Sequence, residues 1–314
     1  MAVLTFSFNA IAPLILIIAL GFFLVRIRLI DDRFIATANK FCFNVAFPAS
    51  LFSTITLIDL TSEINGQLFL FVIVAILAIV SLLLLIVPRL VEGNPQRGAL
   101  IQGIYRGNFL LLGYPLARNL FGEAGIRPTA MLLPMVIALF NVIAVSLLVY
   151  YDRRESRPGP GRMIIGVLTN PLIIGAIAGA AISLLKISLP VFLTRAINDL
   201  GQVAVPLALV LLGGQFNWRQ AADNRQLLTG AVLTRMVLIP AIITTAAILL
   251  GFRGMELGAI FILFNSPTAI SSYTMARSMN SDAPLAGQIV MLTTIVSAFT
   301  LFTGVSLLRA LGYF

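Results

Sequence analysis

The amino-acid sequence predicts an all-α integral membrane protein of ten transmembrane helices in two inverted five-helix repeats, and three observations lead there. Hydrophobic residues make up 59% of the 314-residue chain and charged residues 11%, with a mean hydropathy of +1.02. Soluble proteins carry about 25% charged residues. Ten apolar runs alternate with charged or turn-rich breaks, each near the roughly 20 residues that cross a hydrocarbon core of about 30 Å. Residues 13 to 51 also match, without a gap, the stretch that begins 158 residues later.

The runs lie at about 3 to 25, 34 to 58, 68 to 90, 99 to 121, 128 to 150, 163 to 185, 190 to 214, 227 to 251, 255 to 276 and 284 to 310. Little remains for a soluble domain. The first run starts at Val3 with no positive region before it, so it is expected to stay as a helix and not to be cleaved as a signal peptide. Loops after the odd-numbered runs hold twelve basic residues: Arg26, Arg28, Arg33, Arg89, Arg97, Arg153, Arg154, Arg157, Arg162, Arg219, Arg225 and Arg277. The other side holds five, Arg118, Arg127, Lys186, Arg253 and Arg309. The positive-inside rule makes the richer side cytoplasmic, which puts both termini on the non-cytoplasmic side of the cell (inner) membrane. The net charge of +9 then reflects topology and an attraction to anionic membrane lipid, and nucleic acid is not an expected partner. A single cysteine, Cys42, excludes an internal disulfide and a cysteine metal cluster; the lack of histidine removes a histidine relay or metal site.

In the repeat, Pro13, Leu14, Ile15, Gly21, Phe34, Ala38, Val45, Ala46, Pro48 and Leu51 face Pro171, Leu172, Ile173, Gly179, Phe192, Ala196, Val203, Ala204, Pro206 and Leu209. Shared apolar composition alone would supply roughly a third of these identities. The longest polar connection, DRRESRPGPGR at 152 to 162, falls between the copies, so the halves are 1 to 155 and 156 to 314. Five spans are an odd number, and the second half therefore enters from the opposite side. Inverted repeats are typical of secondary transporters, whose sites sit near the midplane on broken helices.

Two spans look broken. RGNFLLLGYPLARNLFG, residues 106 to 122, carries Asn108, Gly113 and Pro115, and FILFNSPTAISSYTMAR, residues 261 to 277, carries Pro267. Pro115 frees the Leu111 carbonyl, Pro267 frees that of Leu263, and Gly113 lets the backbone turn. Open backbone is tolerated at membrane depth only against protein or a water-filled cavity. If the spans cross there, two half-helix N-termini aim positive dipole ends at the midplane. Asn108, Asn265, Ser266, Thr268, Ser271 and Ser272 then serve as uncharged partners, which suits an anion. The competing reading is a pair of ordinary proline kinks whose Ser and Thr side chains satisfy the freed carbonyls.

NKFCFNVAFPASLF, GNFLLLGYPLARNLFG, NPLIIGAIAG, VAVPLALVLLGG, SPTAISSYTMA and TTIVSAFTLF together resemble the auxin efflux carrier family, which contains the plant PIN auxin carriers and bacterial permeases, some for malonate. The resemblance spans essentially the whole chain. It implies ten helices divided into a scaffold and a transport part, with crossed, broken helices 4 and 9 at the substrate site. Carried over by position, Asn108 and Pro115 belong to that site, and Ala49 and Ser50 beside Pro48 form its wall. Asn141 in span five is a substrate ligand or interhelical glue. Where the plant carriers have a second crossover proline this chain has Ser272, which leaves the bend position open. The long cytoplasmic loop of those carriers shrinks to residues 152 to 162, so phosphorylation there is not expected. Asn44 and Gln202, four residues before Pro48 and Pro206, read as local backbone repair.

Charges inside spans, at Lys40, Arg106, Arg195, Asp199 and Arg235, each cost about 2.5 to 3.5 kcal/mol at a helix centre and must pair, snorkel or serve function. Asp199 is the one acid well inside a span, with Arg195 four residues earlier on the same face. The two form an ion pair, or Asp199 couples transport to a proton or ion. A sodium site built from several acids is not expected, whereas one built from carbonyls and hydroxyls remains open. The sequence thus predicts a secondary transporter of a small organic anion, such as a carboxylate or auxin-like acid, working by elevator-type alternating access. The alternative is a sodium-coupled symporter of the bile-acid type. No nucleophile, metal or cofactor motif argues for an enzyme, and no charge-lined pattern argues for a channel. A homodimer is compatible with this reading.

Overall fold

The computed structural model describes residues 2–56, 65–152, 160–216 and 218–314. Among these the secondary structure is helical, with one isolated backbone bridge and no strand. The helices are α1 (Ala2–Arg26), α2 (Asp32–Phe41), α3 (Phe47–Thr56), α4 (Gly66–Leu90), α5 (Asn94–Tyr105), α6 (Phe109–Tyr150), α7 (Pro160–Leu168) and α8 (Pro171–Leu184). They continue with α9 (Val191–Gly214), α10 (Trp218–Asp223), α11 (Arg225–Leu233), α12 (Ile239–Leu249), α13 (Gly254–Asn265), α14 (Ser271–Ser278) and α15 (Ala283–Ala310). Among the described residues five stretches are long and apolar enough to cross a membrane: Gly66–Leu90, Arg127–Tyr150, Val191–Gly214, Arg225–Leu249 and Ala283–Ala310. Ala12–Arg26, Pro171–Leu184 and Gly254–Asn265 are shorter apolar helices. The expected boundary at 155 and 156, and the end of the second apolar run at 57 and 58, lie outside the described residues.

Interruptions explain why apolar runs and single helices do not coincide. Between α2 and α3, and between α11 and α12, the chain widens into π turns at Cys42–Ala46 and Thr234–Leu238. Each ends two residues before a proline, Pro48 or Pro240. A proline ring clashes with the carbonyl four residues back, and a wider turn makes room for it. Asn44 repairs backbone here as expected, although its Nδ2 donates to the Lys40 carbonyl at 2.8 Å and not to its own. In α6 the chain kinks at Gly122, whose φ of 69° and ψ of −161° glycine adopts without a Cβ penalty. Pro171 and the Asn170 side chain, which accepts from the Leu172 amide, set the start of α8.

The helices gather into two groups that meet where α1 packs on α15. In one, α1 packs on α9, and α3 on α8 and α9; in the other, α13 packs on α6 and α12, and α15 on α5 and α14. Small residues set the closeness of the first group. A Cβ on Gly21 would lie 2.1 Å from the Val210 carbonyl oxygen, and one on Gly213 would lie 1.9 Å from that of Ile18. Backbone meets backbone there, as expected where dispersion and not the hydrophobic effect joins helices in lipid.

Candidate functional site

Both suspected spans are interrupted. α5 ends at Tyr105, residues 106–108 leave the helical region, with Arg106 at φ −89° and ψ 102°, and α6 begins at Phe109. α13 ends at Asn265, its C-cap Ser266 is extended at φ −65° and ψ 142°, and α14 begins at Ser271. The two openings lie side by side and pair. Gly107 and Thr268 form an antiparallel bridge, the Asn108 amide donates to the Pro267 carbonyl at 2.7 Å, and the Ala269 amide donates to that of Arg106 at 3.0 Å. Each break thus supplies the hydrogen bonds the other has lost, which is how irregular backbone survives at membrane depth.

The bend in the first of these spans differs in place from the one expected at Gly113 and Pro115. Inside α6 only Gly122 leaves the helical region, so Gly113 is helical. A Cβ on Gly113 would meet the Phe109 ring at 2.9 Å, so this glycine admits an aromatic ring and does not turn the chain. Pro115 falls within α6, and its side chain lies outside the described residues. The carbonyl that Pro267 was expected to free, that of Leu263, accepts from Arg235 Nη2 at 3.3 Å.

A cavity of about 70 Å³ lies against the paired breaks. At about 10 to 15 Å³ per water it has room for roughly five, the scale of a small organic ion. Its polar wall is Ser50 from α3, Arg106 and Asn108 from the first break, Asn141 from the second half of α6, and Ser271 from α14. Phe47, Phe140 and Leu172 close the apolar side. The N-termini of α6 and α14 both open onto it, and the Asn108 side chain caps neither.

In the sequence Arg106 reads only as a costly charge, whereas in the structure it lines the cavity. It is buried, 5% exposed, and its Nη2 donates to Asn141 Oδ1 at 2.7 Å while Nη1 donates to the Met275 sulfur. Asn141 in turn donates to the Ile137 carbonyl at 2.8 Å, which fixes its oxygen toward Arg106. Among the described residues no carboxylate pairs with Arg106. The signal was its position, next to the Gly-Asn pair that forms the break.

The remaining predicted residues fall elsewhere. Ser266 Oγ donates to the Ile262 carbonyl at 2.6 Å, and Thr268 Oγ1 to that of Gly103 at 2.6 Å, so both hold backbone and do not face the cavity. Asn265 and Ser272 are buried, with Asn265 against α15. Arg195 and Asp199 are exposed on the outer side of α9, and neither an ion pair nor a hydrogen bond joins them. Beyond Ser271, the next turns of α14 reach a wider cavity of about 640 Å³, where Tyr273 and Arg277 both donate to Gln215 Oε1.

Residues 6–158 and 161–303 match the family model described as membrane transport protein. An uncharacterized transporter of Methanocaldococcus jannaschii is 22% identical over 296 residues, covering 92% of this chain and 94% of that protein. A putative malonate transporter of Rhizobium meliloti is 23% identical over 305 residues, covering 96% and 95%. An uncharacterized transporter of Methanothermobacter thermautotrophicus is 22% identical over 308 residues, covering 94% and 96%. With the family match running along nearly the whole chain, through the motifs at 106 to 122 and 261 to 277, the protein belongs to the membrane transport protein family of auxin efflux carrier type.

Proposed function

We propose that this membrane transport protein carries a small organic anion, a short carboxylate or auxin-like acid, through the cavity at the paired breaks by elevator-type alternating access. The observation that carries the reading is a buried guanidinium without a carboxylate partner among the described residues, set beside two helix N-termini and four uncharged hydrogen-bonding side chains. A lone buried cation costs several kcal/mol unless something compensates it, and a bound anion does so. The malonate named for the R. meliloti relative is a fitting first probe.

The cavity wall divides between the two helix groups, which supports alternating access. Ser50, Leu172 and Val205 come from α3, α8 and α9, the scaffold in this reading; Arg106, Asn108, Asn141 and Ser271 come from the transport group. The inverted repeat draws support from an exchanged contact. Gly21 approaches the Val210 backbone, Gly179 approaches that of Phe52, and the 158-residue offset turns one pair into the other. The loop charges favour both termini outside the cell membrane. Thr37, Lys40 and Asn44 on the α2 side, with Arg195, Asp199 and Gln202 on α9, leave polar groups on outer faces that lipid does not solvate, which favours a homodimer.

Uptake and counterflow in proteoliposomes, with malonate, other short carboxylates, indole-3-acetate and bile acids under imposed proton or sodium gradients, tests the proposal. Saturable exchange of at least one anion is expected. Passive, unsaturable leak of all of them overturns it.

A further inference from the structure

Arg235 does not line the anion cavity, yet among the described residues it is the largest fully buried side chain, 0% exposed. Its π turn pushes it between the two broken spans. There every nitrogen of the guanidinium faces backbone oxygen. Nε and Nη2 donate to the Ser266 carbonyl at 3.0 and 2.6 Å, and Nη2 to Leu263 at 3.3 Å. Nη1 donates to Tyr105 at 3.1 Å and Ile104 at 3.4 Å. These four carbonyls are the C-terminal ends of α5 and α13. Each helix end carries roughly half a negative charge, so two of them match one guanidinium. No carboxylate among the described residues pairs with Arg235.

Unwound carbonyls and half-helix C-terminal ends are the groups with which transporters of inverted-repeat design coordinate a coupling cation. Here that cage is already filled, and filled closely. A Cβ on Gly107 would lie 2.1 Å from Arg235 Nη2, so the glycine of the first break leaves the space the guanidinium occupies. We propose that Arg235 is a tethered cation that takes the place of a dissolved one at the crossover, so that the paired breaks hold together without bound sodium. It follows that removing the guanidinium opens a carbonyl-lined site for a small monovalent cation. The inference stands whichever anion the protein carries, and its test needs no substrate.

The test is the melting temperature of the purified full chain in detergent, in sodium chloride and in choline chloride at equal ionic strength, with and without millimolar methylguanidinium. The parent protein should melt at the same temperature in sodium and choline. Arg235→Ala should melt lower by at least about 5 °C, since it strands four buried carbonyls. Methylguanidinium should return part of that loss, and tetramethylammonium none. Arg235→Lys, which keeps the charge without the planar fork, should fall between the two and stay indifferent to sodium. A saturable rise of the parent's melting temperature in sodium overturns the proposal, and so does an Arg235→Ala protein that melts with the parent or ignores methylguanidinium. Should Arg235→Ala not fold, the sodium response of the parent and of Arg235→Lys decides by itself.

Discussion

Replacing Arg106 by glutamine separates a binding role from a structural one. Glutamine keeps an amide donor for Asn141 Oδ1, which Arg106 now holds at 2.7 Å, but removes the charge. A hydrogen bond to a charged group is worth about 1.5 to 3 kcal/mol, so anion affinity should fall about 10- to 150-fold. The ligand-free protein should move the other way. Arg106 is 5% exposed, and a buried cation without a carboxylate costs several kcal/mol, so its removal should leave the melting temperature unchanged or higher. Titrating malonate and other short carboxylates while following the melting temperature reads both effects in one experiment. Arg106→Lys keeps the charge and loses the planar fork, and should bind with intermediate affinity. A variant that loses stability and keeps its affinity would refute the reasoning, because Arg106 would then be a structural brace.

Three further outcomes follow from the same geometry. Asn108 is 7% exposed and its side chain caps no amide, so Asn108→Ala should weaken anion binding by about 1.5 to 3 kcal/mol, and Asn108→Asp should be worse by like-charge repulsion; equal affinity in parent and both variants, by scintillation proximity, rejects this. Asp199→Asn should leave anion affinity unchanged, since Asp199 lies exposed on α9 away from the cavity, and a weaker binding constant would place it in the site. In a Cys42→Ser background, Lys186→Cys should label from outside and Asp223→Cys from the cytoplasm; the reverse pattern rejects the orientation read from loop charge.

How far the sequence could be read depended on what each feature answers to. Membrane class follows from composition alone, because lipid sets one solvent for the whole chain. The two interrupted spans were legible from Gly113, Pro115 and Pro267, but the bend at Arg106–Asn108 was not, since proline and glycine mark where a helix can break and not where a partner backbone pays it back. Gly113 illustrates the ambiguity, because a glycine that turns the chain and one that admits the Phe109 ring look alike in sequence. Ser50, Asn108, Asn141 and Ser271 were named among the candidates, while Ser266 and Thr268 on the same motif turn toward backbone. Which side of a break a hydroxyl faces is a tertiary property. Arg106 and Arg235 were both legible as charges that need a reason. Their reasons, an open cavity and a carbonyl cage, exist only once the two spans are side by side.

That pairing has an electrostatic consequence that reaches the substrate. Each broken span offers one N-terminus and one C-terminus to the crossover, about half a charge apiece. Arg235 occupies the pair of C-terminal ends, Ile104, Tyr105, Leu263 and Ser266, so the negative ends are neutralised on their own side. The N-terminal ends of α6 and α14 open onto the cavity together with Arg106, and none of the described residues that line it is acidic. The cavity therefore presents about one positive charge from the guanidinium and about one from the two dipole ends. A dianion balances that sum, whereas a monoanion leaves a buried excess. Malonate should accordingly bind more tightly than its monomethyl ester, a molecule of similar shape with one carboxylate masked, and the preference should shrink in Arg106→Gln. The measurement is competition between the two in the same melting titration, above the pH at which malonate carries both charges. If the monoester binds as well as malonate, the dipole ends do not act as charge, and Arg106 alone sets the valence of the site.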